Sequence, residues 1–383
     1  MKSFNYFVLV SSLLVFNLAA FANENASVDY DGFGQKVDAL RKSKHIPGLS
    51  IAVVDDAQLM WSAGYGFADN NNEIPVTANT PFWIASVTKT FVGLAYLHLA
   101  KDGIVNLDEL AAKTPEFTGL CDWLAGTTIP FSKGMDCNEP ITIRHVLHHQ
   151  INKPVGTTFM YNPIMYSRLS RHLEHGVGEG VRQVEGRHNY LAQAIDKYIL
   201  QPADMTRSLA SMWDRSKPLV YFDLADGFKV DERGNKDRNR RPERHIAGGA
   251  GVVSTVLDLA KYDIAISNGK IASGDIGKAL LQPATFNDGS QAPYGFGWYF
   301  QCYNGEKLMW HSGWDPDNGY SAIHLRLPER NMALIMLANG EELWWDNPLD
   351  KAQIESSEFV QLFFNHFNLT KGDACGSALN NKG

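Results

Sequence analysis

The sequence predicts an α+β protein in which one mostly antiparallel sheet is built from both ends of the chain and a helical lobe fills the middle. Three observations carry this. Period-two apolar runs lie near the start of the chain; helix-like segments dominate from about residue 106 to residue 245; and alternation returns from Tyr294 onward. The expected boundaries are a sheet part of about 28–105 and 246–370 with the lobe at about 106–245, all within one catalytic domain spanning 23–383.

Val28 to Lys44 reads as a short amphipathic helix stopped before Pro47. Gly48 to Val54 reads as a strand, and Leu59 to Phe67 as its hairpin partner across Asp55-Asp56. A helix apolar on every face follows and closes at Lys101-Asp102-Gly103. Leu107 to Leu120 is a partly helical connection. In the lobe, short helices are expected at 141–149, from Met165 to about His175, and from Tyr190 to Ile199 before Pro202. Phe228 to His245 has seven basic residues against four acidic and reads as an exposed loop. After the glycines of 247–251, Ser254 to Ser267 reads as a helix. Tyr294–Cys302, Lys307–His311, Tyr320–Leu327 and Met332–Leu337 read as four strands, and Ala352–Phe367 as a closing helix.

Length and composition allow a large core and argue against some partners. The 383 residues are 44% hydrophobic and 11% aromatic, with a net charge of -7 that opposes nucleic-acid binding. Lys2, the apolar run Phe4–Ala20 and the small-x-small site Ala20-Phe21-Ala22 form a signal-peptide pattern over residues 1–22. This predicts a secreted or periplasmic protein with no membrane span after cleavage. Four cysteines suit an oxidising compartment. Cys121 and Cys137 bracket a loop that a local disulfide would staple, leaving Cys302 and Cys375; sequence alone allows three pairings.

Chemistry concentrates in the buried helix. Between Glu73 and Lys101 the one charged residue is Lys89, and Ser86 lies one helical turn before it. A lysine in an apolar site tends to give up its proton, and a serine at a helix start has an oxyanion-stabilising dipole beneath it. Together they outline an activated nucleophile. Ser-x-x-Lys recurs at Ser267–Lys270, but that copy runs through Asn268-Gly269, a turn pair that would not keep both side chains on one face. His145, His148 and His149 cluster in sequence without a carboxylate to complete a metal site, so no metal is expected.

With Ser86-Val87-Thr88-Lys89, Tyr161 at the start of a lobe helix and His311-Ser312-Gly313 after a strand, the chain resembles the serine β-lactamase and DD-peptidase superfamily, in its class C β-lactamase and esterase branch. The likeness extends over roughly 31–367 and includes Ile141–Leu147, Gly248-Gly249 and Tyr294–Trp298. It implies a β-lactamase/transpeptidase-like fold, no cofactor, and an acyl-enzyme on Ser86. It further implies that Lys89 and Tyr161 share the proton transfers; a Tyr161 phenolate would need a nearby cation, a field that Lys89 could supply, and which of the two takes the serine proton stays open. His311, Ser312, Gly313 and Trp314 would bind substrate, the Trp314 N–H joining that of Ser86 in an oxyanion hole. The expected substrates are small esters, amides or D-amino-acid peptides. The alternatives are a true β-lactamase or DD-peptidase, and an inactive envelope-binding protein of the same fold. One departure bears on this choice. Pro163 stands where the superfamily usually has a substrate-binding asparagine, and Asn162 is expected to point elsewhere.

Overall fold

A computed structural model describes residues 28–176, 190–212, 214, 216–242, 246–347 and 351–369. The signal-peptide segment and Cys375 lie outside these residues. The elements run α1 (Tyr30–Ser43), β1 (Gly48–Asp55), β2 (Gln58–Gly66), β3 (Phe82–Trp83), a 3-10 turn at Ala85–Val87, α2 (Thr88–Lys101) and α3 (Pro115–Ala125). The lobe continues with α4 (Ile143–Leu147), α5 (Pro163–Tyr166), α6 (Leu169–Gly176), α7 (Tyr190–Ile195) and α8 (Pro218–Phe222). There follow β4 (Phe228–Val230), β5 (Lys236–Arg238), β6 (Val253–Ser254), α9 (Val256–Ser267) and α10 (Gly274–Leu280). The chain ends in β7 (Tyr294–Gly295), β8 (Trp298–Tyr303), β9 (Glu306–Asp315), β10 (Tyr320–Leu327), β11 (Met332–Ala338) and α11 (Glu358–His366).

The seven-stranded sheet has the order β2-β1-β11-β10-β9-β8-β7. Every neighbouring pair is antiparallel. The first and last strand groups meet at β1 and β11, where Leu49 pairs with Ala338 and Val54 with Ala333. Strand alternation then divides the core between the two faces. Ala52, Val54, Ile335 and Leu337 face the layer of α2 and α9, while Ile51, Val53, Leu334 and Met336 face α1 and α11. α1 starts under an Asp29 cap that accepts from the Gly32 N–H at 2.8 Å, and its Phe33 ring meets Phe367 at 5.1 Å. These residues give an α+β, β-lactamase/transpeptidase-like architecture. Among the described residues no helix is long and apolar enough to cross a membrane.

Two local expectations change. The basic stretch is a hairpin of β4 and β5 rather than an open loop, and Asp226 explains it: this buried carboxylate accepts from Arg238 at 2.6 Å and Arg241 at 3.4 Å. Residues 243–245 of that stretch lie outside the described residues. Ser254 belongs to β6, paired with Phe82 of β3, and helix α9 begins two residues later under a Thr255 cap. The second Ser-x-x-Lys is also accounted for, since the Ser267 hydroxyl accepts from Arg326 at 2.9 Å. Arg326 in turn donates to Asp263 of α9, and both are buried, which ties that helix to the sheet.

Cys121 and Cys137 form a disulfide with Cα atoms 5.8 Å apart, closing the end of α3 onto the following loop. Cys302 is also disulfide-bonded. Cross-linking a loop of this length stabilises a domain by about 3 kcal/mol through its unfolded chain. A Cys121→Ala, Cys137→Ala double variant is therefore expected to lose about 3 kcal/mol in denaturant unfolding. A loss within error of zero would mean that the loop is already ordered by its own packing.

Candidate active site

The sheet leaves one strand edge open. β8 pairs with β9 from Tyr303–Glu306 to Tyr299–Trp310 and no further, so His311–Asp315 extends past its neighbour. On that side the 3-10 turn carrying Ser86 fits against β9. A Cβ on Gly313 would lie 2.4 Å from the Ile84 carbonyl oxygen and 3.2 Å from the Ala85 Cβ, so the approach requires glycine. Ala85 itself has φ +46°, a left-handed conformation that costs a non-glycine residue about 1–2 kcal/mol. Ser86 thus lies not in the first turn of α2 but in a strained turn ahead of it. The three-residue spacing to Lys89 survives because that turn runs directly into the helix.

Lys89 is fully buried, with its Nζ 2.9 Å from Ser86 Oγ and donating to the Gly249 carbonyl at 2.9 Å. Its neighbours are otherwise rings: Tyr161 at 4.9 Å and Tyr166 at 5.5 Å from ring centroid to Nζ. Among the described residues no carboxylate is paired with it. Burial alone lowers its pKa from 10.5 to about 7. By contrast Ser86 is partly exposed, so the nucleophile candidate is the member of the group that a ligand can reach.

Tyr161 is 4% exposed. Burial pushes its phenol well above the ordinary 10.0, and a hydrogen bond with Ser86 offsets this only in part. The expectation that Lys89 would favour a Tyr161 phenolate is therefore reversed. The site that raises the phenol also discharges the lysine, so the cation's field is weakened where the phenolate would need it.

His311 has both ring nitrogens engaged. Nδ1 lies 2.6 Å from the Ser312 carbonyl, which can only accept, and Nε2 lies 3.1 Å from the Tyr294 hydroxyl. Burial, then the charge of Lys89, holds its pKa well below 6.5. The ring is accordingly neutral, with Nδ1–H donating and Nε2 accepting from Tyr294. It supplies no positive charge to a ligand, and what remains for one at 311–314 is the strand edge. Alternation along β9 directs Gly313 and Asp315 toward Ser86's side, where Asp315 accepts from Trp83 Nε1 at 3.0 Å. Trp314 faces the other way and stacks on Trp344 at 5.3 Å. Its indole is thus no part of the cleft floor. Trp83 and Trp310 are core residues.

Asn162 is fully buried and caps α5, its Oδ1 accepting from the Met165 N–H at 2.9 Å and its amide facing Phe131 O and Met135 Sδ. It points away from Ser86, as its sequence position suggested. The three clustered histidines do three different things. His145 completes a capping box with Thr142, His148 packs edge-on to Phe296, and His149 lies against Tyr161. Sequence reading overlooked Ala85, the Gly249 carbonyl, Tyr294 and His149, because each acts through backbone geometry or tertiary contact that leaves no period or spacing.

A partly exposed serine thus lies beside a buried lysine and a tyrosine whose phenol burial keeps protonated, at an open strand edge of a β-lactamase/transpeptidase-like fold. The chain belongs to the β-lactamase family, whose pattern it matches over residues 33–357. It is similar to protein flp of Staphylococcus aureus (strain NCTC 8325 / PS 47), 26% identical over 325 residues that cover 77% of this chain and 60% of flp. It is also similar to the unguisins hydrolase ungD of Aspergillus violaceofuscus, 26% identical over 378 residues, covering 83% of this chain and 63% of ungD. The chain thus spans about three fifths of the length of these relatives. Among solved structures it resembles the octameric penicillin-binding protein homologue from Pyrococcus abyssi, with TM-score 0.65, 22% identity, and coverage of 92% of this chain and 79% of that one. FmtA from S. aureus gives TM-score 0.64 at 17% identity, covering 91% and 90%.

Two glycines hold α2 in place. A Cβ on Gly93 would lie 1.9 Å from the Phe296 carbonyl oxygen, and one on Gly297 would lie 2.1 Å from that of Lys89. Gly93→Ala is therefore expected to cost about 2–3 kcal/mol by overpacking and to displace Lys89. Chemical denaturation checks the first effect; unchanged stability would mean that α2 can shift freely.

Proposed function

We propose that the protein is an exported serine hydrolase that acts through an acyl-enzyme on Ser86, with small esters, amides or D-amino-acid peptides as substrates. The observation that carries this is the 2.9 Å contact between Ser86 Oγ and a desolvated Lys89 whose pKa is lowered to about 7. An amine of that pKa is about half unprotonated at pH 7, and the free form takes the Ser86 proton as Oγ attacks the substrate carbonyl. The N–H groups of Ser86 and Trp314 hold the resulting oxyanion. Tyr161, kept protonated by burial, donates its proton to the leaving group and recovers one through Lys89. Water then attacks the acyl carbon, its proton passes to the same pair, and Ser86 is released. No metal or cofactor is needed for these steps. The relatives fit this reading, since one of them carries the name hydrolase.

The burial of Asn162 and the presence of Pro163 favour small esters over amide-bearing β-lactams, because neither residue offers a side-chain amide to the acyl group. A panel of nitrophenyl esters, a cephalosporin and D-alanyl peptides, run with Ser86→Ala, tests the proposal. Ester turnover should exceed cephalosporin turnover and fall by about 1,000-fold or more in Ser86→Ala. Full activity in that variant would overturn the reading, and fast cephalosporin opening would transfer it to a true β-lactamase.

The lowered lysine also sets a pH dependence. Its free amine is the active form, so kcat/KM should rise about tenfold per pH unit below 7 and level off above it. A profile flat from pH 5 to 9 would remove Lys89 from the role of base.

A further inference from the structure

We infer that His149 is the positioning residue that sets Tyr161 against Ser86, an inference that rests on the acyl-transfer reading above. Helix α4 closes in a Schellman motif: the Gln150 N–H donates to the His145 carbonyl at 2.8 Å, and the His149 N–H to that of Val146 at 3.2 Å. His149 therefore occupies the left-handed position of the motif, with φ +55°. Glycine, or sometimes asparagine, is usual there, and a β-carbon in that conformation costs about 1–2 kcal/mol. A histidine kept at such a position implies that its side chain has work to do.

That work is visible at the N–H groups of the two residues on either side of Tyr161. The His149 carbonyl accepts from the Met160 N–H at 2.9 Å, and its ring Nδ1 accepts from the Asn162 N–H at 3.1 Å. One residue thus holds the backbone immediately before and immediately after the tyrosine. The ring centroid also lies 4.5 Å from that of Tyr161 and 4.8 Å from that of Tyr294, whose hydroxyl engages His311. Because Nδ1 accepts, the neutral ring carries its proton on Nε2, and that buried N–H has no hydrogen-bond partner among the described residues. Burial, with Lys89 and His311 nearby, holds the ring's pKa well below 6.5, so the accepting Nδ1 persists across the working pH range.

The remaining titratable neighbours in this shell, Tyr161, Tyr166, Tyr294 and His148, are neutral for the same reason, burial. His149 therefore acts by geometry, holding a phenol in reach of Ser86 Oγ, and does not exchange protons with substrate. Losing such a hold costs turnover more than binding, since an ångström of displacement at a reacting group can cost about 100-fold in rate.

The test uses the full chain and turnover of a short-chain nitrophenyl ester, with thermal unfolding of each variant. His149→Gly keeps the backbone turn and removes the ring acceptor; kcat should fall by about 100-fold with KM nearly unchanged. His149→Asn places an amide oxygen near the former Nδ1 and tolerates φ above zero, so it should recover kcat to within about threefold of wild type. In a Tyr161→Phe background, His149→Gly should add little further loss, because both changes disable one group. A wild-type kcat in His149→Gly, a dead but folded His149→Asn, or losses that multiply fully with Tyr161→Phe would each overturn the inference. Should His149→Gly fail to fold, the kcat of His149→Asn decides alone. Ser86→Ala separates the two levels: its full activity would sink the acyl-enzyme reading itself, whereas a dead Ser86→Ala beside an unimpaired His149→Gly would sink only this one.

Discussion

An ammonium group taken out of water without a counter-charge is among the most expensive things a fold can contain, and Lys89 is placed in that situation. Its neighbours are the edges and faces of Tyr161 and Tyr166, one carbonyl from Gly249 and the hydroxyl of Ser86. Lowering its pKa from 10.5 to about 7 corresponds to a burial penalty on the order of 5 kcal/mol on the charged form. A carboxylate beside it would remove that penalty and with it the free amine. The surroundings of α2 are organised to keep such a partner away: its faces meet aliphatic and aromatic residues, and the two buried carboxylates of α9 are committed elsewhere, Asp258 to the Arg207 N–H and the Ser208 hydroxyl and Asp263 to Arg326 and His324.

Close backbone approaches then fix where that amine sits. Gly93 and Gly297 let α2 and the turn between β7 and β8 touch through main chain, and Gly313 admits the turn of Ser86 to the β9 edge. Two non-glycine residues in left-handed conformations, Ala85 and His149, flank the group on either side. Local strain of this kind persists where the surrounding packing over-determines it, and here it adjoins the serine and the tyrosine. The rings of Phe159, Tyr161, Tyr294, Tyr299 and His311 seal the remaining side against water. His311 shows the consequence most clearly, since a residue whose place in the motif suggests a charge is neutral and bonded inward.

Much of the fold was legible because the chain is locally consistent. Period-two alternation in Gly48–Val54 and Tyr320–Leu327 and the uniformly apolar run of α2 specify their elements without tertiary help. The site was legible to the extent that chemistry coincides with spacing: Ser86 and Lys89 are three residues apart, and Tyr161 opens a helix. What depended on distance in space was not. The basic stretch became a hairpin because Asp226, just before it, supplies Arg238 and Arg241 with a partner that its own composition does not reveal. The proton balance between Lys89 and Tyr161 turned on burial, which no motif encodes. His149 was given no role by the sequence beyond membership of a histidine cluster without a metal, because a left-handed helix terminus is invisible in a single sequence.

The claim on which everything else rests is that burial brings the Lys89 pKa down to about 7, so that a large share is free amine at neutral pH, and it can be measured at the nitrogen itself. Reductive methylation with ¹³C-formaldehyde gives each lysine a carbon resonance that reports its own protonation. One resonance should titrate with a midpoint near 7 and be missing from Lys89→Arg. If the resonance lost in Lys89→Arg titrates above 9, the buried amine is charged in the resting protein and the account of the site is wrong.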